Sequence, residues 1–185
     1  GAKGSPLQLV LSAVYHVDAP TGNISMSDVA KIRRNPMIKQ TIPLAYGDSY
    51  QTYRIVGTDT SYIGKYEAKL QSGRLFDNDL EVVLGASVAQ TSGLSVGQSF
   101  HSTHGQAAEG EVHDAFSYTV MGVLKPSGTV LDQLILCNVS SVWKVHETAH
   151  EHEADGQEQG ATTATHTHEE EPETAEEEPE ITALL

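Results

Sequence analysis

Apolar positions along this chain follow two rhythms, and the change between them predicts its elements. Ser5-Pro6 followed by Leu7, Leu9, Val10, Leu11, Ala13 and Val14 reads as a helix N-cap, a proline at the first helical position and a strongly apolar first element. The same run also suits a buried strand, because periodicity alone does not separate the two. Pro20-Thr21-Gly22-Asn23 predicts a turn. Ser27-Asp28 is then expected to cap a short helix, Asp28 to Arg34, with Val29 and Ile32 inward at i, i+3 and Arg33-Arg34 favourable at its C-terminus. Asn35-Pro36 stops it.

From Ile38 the period moves towards two, which predicts strands at Ile38 to Leu44 and Tyr50 to Val56 joined across Gly47-Asp48. A helical turn through Tyr62, Ile63 and Tyr66 follows. Val82 to Leu84 reads as a short buried strand, Ser87 to Gln90 as the start of a helix, and Gly97 to His101 as the start of another strand. Phe116 to Leu124 alternates, with Phe116, Tyr118, Val120 and Gly122 set against Ser117, Thr119, Met121 and Val123. Leu131 to Cys137 predicts a last buried strand, and Ser140-Ser141 a cap for a helix bearing Val142, Trp143 and Val145. Short strands interleaved with short helices imply an α+β domain with mixed sheets. Gly73 and Gly93 stand where the chain must reverse, which favours a residue free to take positive φ.

Charge divides the chain in two. Of its 185 residues, 11 basic and 12 acidic ones lie before position 145, a balance of −1, and 13 acidic residues without a basic one lie after it, −13. A nearly neutral globular part offers no basic face for phosphates, which argues against nucleic acid as a partner. The acidic block, poor in aromatics, is expected to be disordered. The one cysteine, Cys137, excludes an internal disulfide and reads as a small buried apolar side chain.

Catalytic patterns are thin. There is no Gly-x-Ser-x-Gly elbow, no His-Glu-x-x-His helix, no Lys-Ser/Thr pair completing the Gly57-Thr58-Asp59 turn as a phosphate loop, and no paired Cys and His. His113-Asp114 and Asp77-x-Asp79 are polar pairs of the kind any surface loop supplies. Histidine is more suggestive: nine occur and eight follow position 100. His101, His104 and His113 flank a glycine-rich, acidic loop and can converge on one divalent ion, while His146, His150 and His152 form a second cluster with His146 and His150 at i, i+4. Among so many carboxylates such clusters suit weak zinc binding, which gives an alternative reading of the chain as a divalent-metal-binding or metal-sensing extracytoplasmic module. Set against that reading is a solvated polar hairpin tip and a solvated acidic loop. Five tyrosines, Tyr46, Tyr50, Tyr53, Tyr62 and Tyr66, either line a groove for a peptide or lipid chain or close the core and its edge.

Five glycine-punctuated segments stand in a fixed order. They are Ile55-Val56-Gly57-Thr58-Asp59, Gly73-Arg74-Leu75-Phe76, Val82 to Ala89, Gly93 to Phe100, and Tyr118 to Leu124. Together they resemble the extracytoplasmic core domain of ABC-transporter permeases of the MacB, FtsX-like and lipoprotein-release type. The resemblance implies a MacB-type core, with a two-lobed form left open, that sits on the periplasmic side of the bacterial cytoplasmic membrane and catalyses nothing. It also implies an ATP-binding subunit or domain elsewhere, an adaptor or a substrate protein or lipid in the periplasm, and a permease able to act as a homodimer. No cofactor is implied for the domain itself. Residues 1–146 are then the core domain, 147–178 an acidic His-rich insertion and 179–185 a truncated strand returning to the fold. An opening Gly1-Ala2-Lys3-Gly4 without initiator Met and an apolar run ending at Leu185 fit a loop domain between two membrane spans. No run of 18 apolar residues is present.

Overall fold

Ser5 decides the first element. Its side chain accepts the Gln8 N–H at 3.2 Å while the Gln8 side-chain oxygen accepts the Ser5 N–H at 3.0 Å, a closed capping box with Pro6 behind it, so the apolar run becomes helix α1, Pro6–Ala13, and not a strand. The computed structural model describes residues 4–17, 20–103, 112–146 and 178–185. Its further elements in chain order are β1 Ile24–Ser25, α2 Met26–Arg33, β2 Pro43–Tyr50, β3 Tyr53–Thr58, α3 Thr60–Lys65, β4 Leu70–Gly73, β5 Glu81–Leu84 and α4 Ala86–Ser92. Then come β6 Ser99–Thr103, β7 Val112–Leu124, a 3-10 turn Val130–Gln133, β8 Leu134–Asn138, α5 across residues 139–146, β9 Glu180–Ile181 and β10 Ala183–Leu184. The class is α+β with mixed sheets and short helices.

Several boundaries differ from expectation for identifiable reasons. The cap of α2 is Ser25, which accepts the Asp28 N–H at 3.2 Å, so the helix starts two residues before the expected Asp28; Val29 is buried, but Ile32 stays 38% exposed. The hairpin between β2 and β3 turns at Gln51, which takes φ 55°, and not at Gly47-Asp48. Those two residues lie inside β2 because Asp48 is buried and accepts the Ser102 hydroxyl at 3.0 Å, while a Cβ on Gly47 would come within 3.2 Å of Val142 on α5. Leu131 leaves the expected strand because the Thr129 hydroxyl accepts its N–H at 3.3 Å and winds a 3-10 turn ahead of β8. The cap of α5 is Asn138, whose side-chain oxygen accepts the Ser141 N–H at 3.1 Å. The edge strand β4 had no alternation to announce it.

Six strands close on one another. β2, β3, β8, β5, β7 and β6 pair in turn, and β6 returns to β2 through Ser49 and Thr103, with β10 added beside β2 and β4 beside β7. The β3–β8 and β5–β7 pairs are parallel and the others antiparallel. A separate ribbon joins β1 to β9, with Ile24 opposite Ile181. Alternation then sends neighbouring residues to opposite faces. Ile55, Val82, Leu84, Ile135 and Cys137 enter one core with Val29 of α2 and Val142 and Val145 of α5. Val56, Val83, Leu134 and Leu136 enter a second with Ala13 of α1 and Tyr62 and Ile63 of α3. Both faces of the central strands are therefore apolar, as in the run Leu134-Ile135-Leu136-Cys137.

Arg74 and Glu81 tie the loop between β4 and β5. The guanidinium meets the two carboxylate oxygens at 2.6 and 2.8 Å, and the Asp77 and Asn78 N–H groups donate to the same carboxylate at 2.9 and 3.1 Å. Arg74 first, then these further donors, hold the Glu81 carboxyl far below its ordinary 4.5. A carboxyl depressed on folding contributes stability that is present above the unfolded value and is lost as pH falls below it. In urea titrations, wild type is expected to exceed Glu81→Gln at neutral pH, and the gap should shrink progressively below about pH 4.5. A gap of the same size at pH 7 and pH 3 would contradict this.

Candidate functional site

The chain from Glu178 to Thr182 is clamped between two helices. Trp143 of α5 donates its indole N–H to the Glu180 carbonyl at 2.7 Å, and Met26 of α2 donates its N–H to the Pro179 carbonyl at 3.0 Å. The Glu178 carboxylate accepts the Ser27 N–H at 2.6 Å in the first turn of α2, where the orphan backbone donors and the helix dipole favour an anion. Thr182 accepts the Tyr46 N–H at 3.0 Å. Beside these supports lies an open cleft of about 640 Å³, lined by Asn23 and Ser25, by Ala45 and Tyr46 of β2, by Val142, Trp143 and His146 of α5, and by Glu178 to Glu180 and Thr182. Its polarity is mixed, with two acids and one histidine.

Beside that cleft, Asp48 links three elements. Its carboxylate on β2 accepts the Ser102 hydroxyl from β6 and lies 4.0 Å from His146 Nε2 on α5. The order of groups matters: the serine donates to the carboxylate and not to an imidazole, so the serine–histidine–aspartate order of a hydrolase triad is not the one seen in this trio. Cys137 is equally unsuited to nucleophilic work. It is fully buried, and desolvation pushes its thiol up to about 12. Around this open face the bulged strand β2, helix α5 and the segment from Glu178 to Thr182 are joined by hydrogen bonds from Tyr46 and Trp143.

The predicted histidines do not meet among the described residues. His101 is exposed on β6, its Nδ1 in a hydrogen bond at 3.0 Å with the Phe116 carbonyl. His146 faces Asp48 instead. The backbone of His113 lies on β7; its side chain, with His104, His150 and His152 and the i, i+4 pairing of His146 with His150, falls outside the described residues, as do His166 and His168. Among the described residues no three His, Cys, Asp or Glu side chains stand close enough to hold a metal ion.

The tyrosines divide between the two cores and do not line one groove. Tyr50 lies 4.5 Å from Phe100, ring to ring, and Phe100 stacks on Tyr118 at 5.6 Å. On the other side Tyr62 is fully buried and meets Tyr66 edge-on at 5.4 Å, and Tyr46 lies under the Arg54 guanidinium at 4.6 Å. Only Tyr46 reaches the cleft. Sequence reading missed Asp48, Glu178 and Thr182 as parts of this region. Gly47-Asp48 carries a turn signal that tertiary packing overrides, and Glu178 is one acid in a run of three.

No curated relative matches the chain in sequence. Among solved structures it is similar to the periplasmic region of MacB from Actinobacillus actinomycetemcomitans, at 16% identity and TM-score 0.47 over 66% of this chain and 58% of that one. It is also similar to the extracellular domain of the noncanonic ABC-type transporter YknZ from Gram-positive bacteria, at 15% identity and TM-score 0.46 over 80% of this chain and 73% of that one. The chain thus spans a little over half the length of the MacB region. No helix among the described residues is long and apolar enough to cross a membrane. The MacB-like periplasmic core domain family matches residues 4–178, nearly the whole length, and the glycine-punctuated segments from Ile55 to Leu124 lie inside that span. This chain belongs to the family of MacB-like periplasmic core domains.

Proposed function

We propose that the chain is a non-catalytic transmission domain of an ABC-transporter permease. In this reading it sits on the periplasmic side of the bacterial cytoplasmic membrane and couples ATP hydrolysis, performed by a separate ATP-binding subunit or domain, to a periplasmic adaptor or to a substrate protein or lipid. Efflux and the export of lipoproteins or peptides are the two cargo classes it fits, and the permease would act as a homodimer. The observation that carries the reading is the family match across residues 4–178. Packing supports it: Ala13 of α1 and Leu185 beside β10 both pack into the second apolar core. Coupling of this sort requires differential packing in two states and no reactive group.

The test is a reconstituted full permease with its ATP-binding subunit, in which residues 4–185 are exchanged for a short flexible linker. ATP hydrolysis should persist while transport is lost. Undiminished transport would overturn the proposal.

A second reading, weak zinc binding at His101, His104 and His113, has one observation in its favour. β6 and β7 are paired, with Thr103 opposite Val112, which brings His101 and the His113 backbone to the same hairpin. Calorimetry of the chain with zinc should then show a heat that disappears when the three histidines are replaced by alanine; no heat in the parent chain would end that reading.

A further inference from the structure

The first helix is held to the domain by few groups. Within α1 only Ser12 and Ala13 are buried, while Leu7 is 66% and Val10 43% exposed, and beyond the helix Tyr15 and Val17 are exposed as well. Its seat consists of the Tyr46 hydroxyl donated to the Ser12 carbonyl, Ala13 in the second core, and His16. His16 is buried at φ 56°, with Nε2 2.8 Å from the Tyr62 hydroxyl and its ring centroid 5.3 Å from that of Tyr46. Its other ring nitrogen, Nδ1, is buried with no hydrogen-bond partner.

That orphan nitrogen makes the seat sensitive to one proton. Where the neutral ring holds its proton on Nε2, protonation gives Nδ1 an N–H with no acceptor, and in either tautomer it leaves a cation in a buried pocket with no counter-charge among the described residues. The titratable and charged groups that face His16 among the described residues are Tyr46 on β2, Arg54 on β3, and Tyr62 with Tyr66 behind it on and after α3. None is negative at neutral pH. Arg54, stacked on the same Tyr46 ring, is a second cation, and its Nη1 is also buried without a partner.

We infer that residues 4–17 form a proton-released latch: with His16 neutral the segment is seated on the second core, and protonation of His16 lifts it off. Burial first, and Arg54 second, bring the seated His16 from 6.5 down to about 4. A histidine lowered in this way stabilises the seated state fully above its ordinary value, and that contribution is lost as pH falls towards the lowered one. Release should therefore rise by up to about tenfold per pH unit between roughly pH 6.5 and 4.

Hydrogen–deuterium exchange of the whole chain tests this, with rates corrected for the intrinsic effect of pH. Amides of Leu9 to Val17 should lose protection progressively below pH 6.5, while those of β3 and β8 keep theirs. In His16→Asn, which tolerates positive φ but does not titrate, the pH response should vanish. Proton NMR titration of His16 in the parent chain should give a value well below 6.5 and does not depend on any variant folding. A pH-independent segment, simultaneous loss of protection in β3 and β8, a response that survives in His16→Asn, or an ordinary His16 titration would each overturn the latch.

Discussion

Gly73→Ala is expected to lower Tm by roughly 10 °C, although it adds only one methyl group. Gly73 ends β4 at φ 75°, and a Cβ there would stand 2.0 Å from the Met121 carbonyl oxygen on β7. The left-handed backbone costs a non-glycine residue about 1–3 kcal/mol, and forcing a methyl group into packed backbone costs about 1–3 kcal/mol more. Neither atom can give way easily, because Met121 accepts the Arg74 N–H at 2.9 Å and Gly73 pairs with Gly122. At about 2–4 °C per kcal/mol for a chain of this size, the sum falls near that temperature. Gly64→Ala is the matched control. It lies in α3 with nothing within 4 Å of the added Cβ and should stabilise the domain by about 0.5–1 kcal/mol. Calorimetry of both variants checks the pair, and an unchanged Tm for Gly73→Ala would refute the packing assigned to β4 and β7.

Leu136→Ala is expected to cost about 2–5 kcal/mol, since that is the range for removing a buried leucine side chain when the site relaxes only in part. Leu136 is fully buried in the second core, on a strand flanked by Val56 on one side and Val83 on the other. With strands hydrogen-bonded on both sides, the backbone has little freedom to close the cavity. The urea midpoint should fall with the slope unchanged. Leu136→Met, which keeps the volume, should cost less than about 1.5 kcal/mol. If the two substitutions prove equal, the site is not packed as described.

What was legible in the sequence follows from how local each feature is. Ser5 and Pro6 offered a helix start, but the apolar run suited a strand as well, and only the Gln8 side chain closing back on Ser5 settles α1. Gly73 and Gly93 answer a purely local requirement, and both take positive φ, 75° and 74°. Val82 to Leu84 and Leu134 to Cys137 are short apolar runs, and such runs become strands buried on both faces. The turn signal at Gly47-Asp48 failed because Ser102 and Val142, far along the chain, hold those residues in a strand. Closure of the ring was invisible for the same reason: Ser49 meets Thr103, and no pattern in either strand names its partner. The cleft was harder still, since its walls come from Asn23, Tyr46, Trp143 and Glu178, four places with no common motif. The histidines were conspicuous by number, yet number says nothing of direction, and the two predicted ligands whose side chains are described, His101 and His146, turn to unrelated partners.

The ring sets a tempo for folding. Its parallel pairs join Arg54 to Leu134 and Glu81 to Thr119, so much of the chain must be made before either pair can form, and loop-closure entropy is lost ahead of the contacts that offset it. Chains dominated by such distant pairings fold in milliseconds to seconds, slowly beside helical bundles of equal stability. β8 joins β3 to β5, and until it arrives Ile55 and Val83 lie open to other chains. Any partly folded chain in which β8 is undocked exposes these strands, which ties the run Leu134-Ile135-Leu136-Cys137 to aggregation as well as to stability.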